Sequence, residues 1–334
     1  MRALVITTVN SPTKALRLLA EGADAHQMPF IVVGDVKTPE DFELEHAEYL
    51  SIAEQAKRFP SFCRVLPTRH YTRKNVGYLA AIDQGAMEIQ ETDDDNMPRA
   101  GFWGPLPDDF EVDAIQADSS CAWFNVYSLF TDAGIWPRGF PLQFLRAPAA
   151  QRRDISARTS RGLILQGLAN GNPDVDAVYR LTQQLPVDFR TRKPVLLSAG
   201  VWCPFNSQNT IFRREVFPLL YLPSHCSFRM TDIWRSLVAQ RCLWETGEGV
   251  VFQSATVYQE RNEHDLLRDF ADEVPGYLLN DRIRRALENC ALEKQDLLRS
   301  LSLCYESIIK HELLPKDELP IIAAWRSQME RAID

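Results

Sequence analysis

The run Glu91-Thr92-Asp93-Asp94-Asp95-Asn96 carries the most concentrated chemistry in the chain. Three neighbouring carboxylates repel one another unless a cation neutralises them. Hard oxygen ligands suit Mg2+ or Mn2+, which also bind diphosphate oxygens. Asp93 and Asp95, two apart, make an Asp-x-Asp clamp, and an ion held there would offset the charge that grows on a diphosphate as a nucleotide-sugar is cleaved. The bland alternative is a solvated acidic turn. Upstream, Arg73-Lys74-Asn75-Val76-Gly77-Tyr78 places two cations, an amide and a glycine at a helix start. That suits an anion or a base edge, or merely a basic helix cap. Asp232, in Thr231-Asp232-Ile233-Trp234-Arg235, opens another helix. It reads either as a cap on the helix dipole or as a general base for an acceptor hydroxyl. Finally, Gln259-Glu260-Arg261-Asn262-Glu263-His264 follows a strand, and its imidazole is either a metal or diphosphate contact or a structural histidine.

These residues need a frame. The stretches 4–9 and 29–35 are short apolar runs of the kind that form buried strands, and 88–92 reads as a short strand feeding Asp93. Helical patterns fall at 13–26, 50–58 and 76–87. Alternating strands and helices predict an α/β fold with a mostly parallel central sheet flanked by helices. Ligands in such folds sit beyond the carboxyl ends of the strands, where Asp35 and Asp93 fall. The stretch 97–148, rich in proline, glycine and aromatics, reads as a long ordered excursion with short strands. Further on, a helix is expected over 176–184, a strand over 195–199, a helix over 231–246 and a strand over 249–252. Helices at 266–271, 278–291 and 292–311 would form a C-terminal helical extension, either a packing appendage or a dimer interface.

Of the 334 residues, 45% are hydrophobic and 25% charged, the profile of a folded globular chain. A net charge of −8 argues against nucleic acid as the main partner. It leaves a nucleotide open, because a metal ion supplies positive charge locally. No apolar run approaches the roughly 20 residues that span a bilayer. The apolar start at 3–9 is too short for a signal peptide. Seven scattered cysteines without a Cys-x-x-Cys pair predict reduced thiols and a cytoplasmic location.

Taken in order, several segments carry a resemblance. They are Lys74-Asn75-Val76-Gly77-Tyr78 leading to Asp93-Asp94-Asp95-Asn96, Trp136-Pro137-Arg138-Gly139-Phe140, and Asn170-Gly171-Asn172-Pro173-Asp174-Val175-Asp176. Pro204-Phe205-Asn206-Ser207-Gln208-Asn209, Asp232-Ile233-Trp234-Arg235 and Arg261-Asn262 with His264 follow. Across roughly residues 1 to 270 the chain resembles the glycosyltransferase domain of the STELLO proteins and, more distantly, the GT-A superfamily. The resemblance implies a GT-A, Rossmann-like fold over 1–265, with a nucleotide-sugar-binding half at 1–100, an acceptor-side half at 101–265 and the extension at 266–334. It implies a nucleotide-sugar donor, expected to be a UDP-sugar, a Mn2+ or Mg2+ cofactor, and a carbohydrate or glycolipid acceptor. Asp93, Asp95 and His264 would hold the metal. Thr8, Asp35, Lys74, Asn75, Asp93 and Arg261 would bind the donor, and Asp232 would act as base in an inverting transfer. Aromatic stretches at 136–140 and 202–205 would shape the acceptor pocket or pack in the core. Plant members carry a membrane anchor ahead of this domain, and no such segment is seen here. A homodimer and a role in polysaccharide synthesis are further expectations. The alternatives are a non-catalytic nucleotide-sugar-binding scaffold and a nucleotidyltransferase, although the loop Thr8-Val9-Asn10-Ser11-Pro12 lacks the glycines and cations the latter wants.

Overall fold

Strands β1 (Arg2–Thr7) and β2 (Phe30–Val33) are buried on both faces, which is why they read as unbroken apolar runs. The computed structural model describes residues 1–260, 265–292, 294 and 296–333. Helix α1 (Lys14–Ala25) joins these strands; Thr13 caps it by accepting from the Leu16 amide. The chain continues through β3 (Glu48–Leu50), α2 (Ile52–Arg58), α3 (Pro60–Val65), α4 (Lys74–Asp83) and β4 (Glu88–Thr92). Strands β3, β2, β1 and β4 pair in parallel in that order. Helix α4 lies directly on them because Gly77 carries no side chain. A Cβ there would stand 2.6 Å from methyl groups of Val5 and Val33.

The stretch after β4 runs through β5 (Asn96–Pro98) and β6 (Phe110–Ile115), then short helical turns and α5 (Pro148–Gln151). It returns as β7 (Ile155–Ser160) and β8 (Ile164–Gly171), followed by α6 (Ala177–Thr182), β9 (Val195–Leu197) and β10 (Asn209–Arg213). Helix α7 (Thr231–Leu243) and β11 (Val250–Gln259) precede three helices: α8 (Leu266–Glu288), α9 (Leu297–Lys310) and α10 (Leu319–Ile333). The expected central sheet flanked by helices, with helices at the C-terminus, is present. Its strand order is β3-β2-β1-β4-β10-β8-β11-β9-β6-β7, with β5 on β11. Strand β10 enters antiparallel between β4 and β8, so its first residues lie at the same sheet edge as the ends of β1, β2, β4, β8 and β11.

Several elements differ from the expectation, among them β8, α8 and α9. Strand β8 is central and fully buried, yet its sequence, with Gln166, Gly167 and Asn170, lacks strand periodicity. Its polar groups are satisfied internally: Gln166 Oε1 accepts from the Asn206 amide and the Thr210 hydroxyl. Helix α8 is one helix rather than two. It passes through Pro275 and follows it with Gly276, where the Met230 sulfur occupies the space of a Cβ. Helix α9 starts at Leu297 rather than 292, because Asp296 caps it. No helix among the described residues is long and apolar enough to cross a membrane.

Substituting Gly77→Ala should destabilise the fold by about 1–3 kcal/mol through overpacking, despite alanine's better helix propensity. A lowered urea midpoint with an unchanged slope checks this.

Candidate functional site

At the carboxyl edge of the sheet lies a cavity of about 450 Å³. Thr7 and Thr8 reach it from β1, Val33 and Asp35 from β2, and Asp93, Asp94 and Asp95 from β4. Ser207 and Gln208 enter ahead of β10, and Gln259 from the end of β11. Arg138, Asp174, Arg180 and the segment Phe228-Arg229 with Asp232 close the remaining wall.

The aspartate run is arranged by neighbours with distinct tasks. Asp94 faces the start of α1: its carboxylate accepts from Thr8 Oγ1 at 2.6 Å and Asn10 Nδ2 at 3.0 Å, while its carbonyl accepts from Thr13. Asp95 accepts from Gln259 Nε2 at 3.0 and 3.1 Å. Asp93 accepts from the Tyr71 hydroxyl at 3.3 Å, and the Lys74 ammonium stands 3.8 Å away. Burial raises the Asp93 proton affinity; Lys74 opposes this, but Asp95, Asp232 and Asp94 add to it.

A divalent cation suits this end of the cavity. Its donor set is hard oxygen, and Gln259 Oε1 is a buried acceptor that receives no hydrogen bond. Among the described residues no three His, Cys, Asp or Glu side chains form a complete protein cage. An ion at Asp93 and Asp95 would take its remaining oxygens from diphosphate and water, as Mg2+ commonly does.

Across the cavity, Asp232 sits in the first turn of α7, where the helix dipole favours negative charge. Arg138 grips it with two parallel bonds of 3.0 and 2.8 Å, and grips Asp174 on its other side at 2.8 and 2.9 Å. The Ser207 amide adds a bond of 3.2 Å. Burial alone would raise the Asp232 proton affinity, but the Arg138 charge and its hydrogen bonds overcome this and bring the carboxyl down to about 2. The two ends communicate through hydroxyls. Tyr71 Oη lies 2.5 Å from Ser207 Oγ, which in turn reaches Asp232 at 3.4 Å.

Five of the residues expected from sequence therefore share one cavity: Thr8, Asp35, Asp93, Asp95 and Asp232. Asp35 spends its carboxylate on the amides of Val36, Arg69 and His70, so it shapes the cavity wall through the loop it holds. Lys74 and Asn75, expected as donor contacts, lie beneath the cavity rather than in its wall. The Lys74 ammonium donates to Tyr71 Oη and the Thr92 carbonyl, and Asn75 exchanges two hydrogen bonds with the Leu222 backbone. Arg261 and His264 lie outside the described residues. Sequence reasoning gave no role to Arg138, Asp174, Tyr71, Ser207 or Gln259. The segments holding Arg138, Asp174 and Ser207 were noticed for their resemblance alone, and nothing in composition marked their polar groups as convergent.

Such a sheet, with an aspartate run at its carboxyl edge, is consistent with a Rossmann-like glycosyltransferase fold. Residues 229–331 match the family model of the STELLO glycosyltransferases, a span that takes in Asp232, helices α8 and α9 and most of α10. Two Arabidopsis thaliana proteins are similar over most of the chain. "Probable glycosyltransferase STELLO1" is 27% identical over 341 residues, covering 96% of this chain and 43% of the relative. "Probable glycosyltransferase STELLO2" is 30% identical over 275 residues, covering 77% and 35%. The chain thus belongs with the STELLO-type glycosyltransferases, and spans less than half the length of these relatives.

Asn75→Ala should leave the Leu222 amide and carbonyl buried without partners, at about 1–3 kcal/mol for each unmet group. The expected result is a lower unfolding midpoint with nucleotide affinity unchanged per folded molecule, read by denaturation and calorimetry together.

Proposed function

We propose that the chain transfers a sugar from a nucleotide-sugar, taken here as a UDP-sugar, to a hydroxyl of a carbohydrate or glycolipid acceptor, with inversion. The observation that carries this reading is the opposition of two carboxylate sets across one cavity: Asp93 and Asp95 on one side, Asp232 on the other. Asp93 and Asp95 would hold Mn2+ or Mg2+, which supplies charge stabilisation to a departing diphosphate. Thr8 and the loop held by Asp35 border the nucleoside end.

In the transfer, the bond from the anomeric carbon to the diphosphate oxygen breaks and the nucleoside diphosphate leaves with the electron pair. The acceptor oxygen bonds to the anomeric carbon, and its proton goes to Asp232. A carboxylate with so low a proton affinity is a weak base toward a free alcohol. It suffices once the new carbon–oxygen bond is largely made, because an alkylated hydroxyl is a strong acid. Arg138 keeps Asp232 ionised and fixed, so little reorganisation is needed when the proton arrives.

Calorimetric titration of nucleoside diphosphates and UDP-sugars, with Mn2+ and then with chelator, tests the donor site. Metal-dependent binding lost in Asp95→Ala is expected; no binding by the unaltered protein under either condition would sink the reading. For the acceptor side, Asp232→Asn should keep donor binding and lower transfer by at least a hundredfold, on the scale of general-base contributions of roughly 10²–10⁴. Because Asp232 titrates near 2, it stays ionised as pH falls through the ordinary carboxylate range. Its loss should therefore impose no acid limb on kcat there. Near-normal transfer by Asp232→Asn would remove it from the mechanism.

A further inference from the structure

The aromatic residues that sequence reading offered for an acceptor pocket are absorbed elsewhere. Phe140, Trp202 and Phe205 are buried in the core, and Trp136 donates to Asp176 while packing edge-on against Tyr179. Among the described residues, the rings that line the cavity are His70, Tyr71 and Phe228. His70 and Tyr71 have polar tasks: the His70 ring bonds Thr72, and Tyr71 bonds Asp93, Lys74 and Ser207. Phe228 has none, yet it stands 56% exposed at the cavity wall.

That exposure is built. Phe228 opens a short turn whose three side chains diverge. Arg229 turns inward to a buried ion pair with Glu273 at 2.8 Å, and Met230 is buried against Gly276 of α8. The preceding Ser227 hydroxyl bonds the Asp272 carbonyl, and the Met230 amide bonds back to Ser227. With both neighbours anchored, the Phe228 ring is left outside, steadied edge-on by Tyr71 at 5.9 Å and His70 at 6.5 Å. Keeping a large apolar ring in water costs hydration free energy that burial elsewhere would recover. Phe228 also lies four residues before Asp232, and Arg138, Asp174 and Arg180 share the same cavity wall.

We infer that Phe228 is a specificity-determining residue for the acceptor, and that the acceptor group it receives is a saccharide ring. This rests on the transferase reading above. A sugar presents an apolar C–H face, which stacks on an aromatic ring, and a rim of hydroxyls, which suits carboxylates and guanidinium groups. Phe228 supplies the first and the wall around Asp232 the second. The ring face orients the acceptor so that one hydroxyl points to Asp232. A serine or threonine hydroxyl of a protein offers no such face.

The test compares Phe228→Ala and Phe228→Trp with the unaltered protein. The probes are UDP with Mn2+ for the donor site, and, for transfer, the UDP-sugar that binds in the calorimetric titration paired with cello-, xylo-, malto- and manno-oligosaccharides as acceptors. Transfer is read as KM and kcat, and UDP binding by calorimetry. Position 228 is exposed, so neither variant should fail to fold. Phe228→Ala should raise acceptor KM by roughly three- to tenfold, the range expected for loss of one aromatic contact. Phe228→Trp should restore it, with the UDP dissociation constant within about twofold of normal in both. A parallel loss of UDP affinity in Phe228→Ala would assign the ring to the nucleobase and overturn the inference. So would an unchanged acceptor KM, or donor binding without transfer to any of these saccharides. Failure of the unaltered protein to bind UDP would instead strike the transferase reading beneath it.

Discussion

Glu91 is a carboxylate with no exposed surface in the middle of a central strand, and the arrangement of the cavity follows from how it is neutralised. Arg235 of α7 meets it at 2.7 Å, Lys74 of α4 stands 3.8 Å away, and the Tyr78 hydroxyl donates to it. Both cations are buried as deeply as their partner. Removing one member of such a set leaves an uncompensated buried charge, typically at about 3–5 kcal/mol. The knot therefore fixes α4, β4 and α7 relative to one another. Those elements carry Lys74, the aspartate run and Asp232. Burial tends to strip the Lys74 proton, while Glu91 and Asp93 retain it. The same ammonium that balances Glu91 thus also supports Tyr71 and Asp93 in the cavity wall.

The C-terminal helices act on the other half of the site. Helix α8 turns polar side chains inward, where an amphipathic helix would place apolar ones, and leaves Leu267 and Leu278 exposed. Each buried polar group has a task. Glu273 holds Arg229 and accepts from the Ala177 amide. Asn280 accepts from Trp234 and donates to the Gly139 carbonyl. Gly139 itself has φ of 85°, and a Cβ there would meet Ile233 at 2.4 Å, so a glycine must follow Arg138. Further along, Glu318 at the start of α10 is fully buried and accepts from the amides of Ser224 and His225. The loop leading into α7 is thereby tied to the last helix. The span matched by the family model, residues 229–331, thus contains Asp232 together with Glu273, Asn280 and Glu318, which hold the loops around it.

This division explains what could be read from the sequence. Strands β1 and β2 were legible because their two-sided burial leaves apolar runs, and the aspartates that follow β4 stand out as a local charge run. Strand β8 and the polar face of α8 were not. Gln166 of β8 and Asn280 of α8, for example, are satisfied by partners 40 and 141 residues away, which no local period records. The same holds for the wall of the cavity. Asp232 was visible as a carboxylate at a helix start, whereas Arg138 and Asp174 gain meaning only when a loop and a strand end meet it, 94 and 58 residues distant in sequence from their partner. Lys74 and Asn75 show the converse case. A cation and an amide at a helix start look like ligand groups until the helix proves to be buried on every side.

The two carboxylate sets differ in how the protein treats their charge, and this separates their proposed roles. Asp232 shares a whole guanidinium with Asp174 and receives two amide donors besides, so the trio carries one net negative charge that is already spread over several fixed donors. A cation gains little there. Asp93 meets one ammonium at 3.8 Å, and that ammonium is shared with Glu91. Its desolvated carboxylate, beside Asp94 and Asp95, keeps a negative potential that a cation bridging to diphosphate would relieve. Polarity along the cavity is thus set before any ligand enters. In the proposed transfer, the end at β4 would draw a cation and the anionic leaving group it carries, and the end at α7 would offer a fixed, already ionised acceptor for a neutral hydroxyl. Displacement at an anomeric carbon between the two needs that order of charges, because the leaving oxygen gains negative charge as the incoming one sheds its proton.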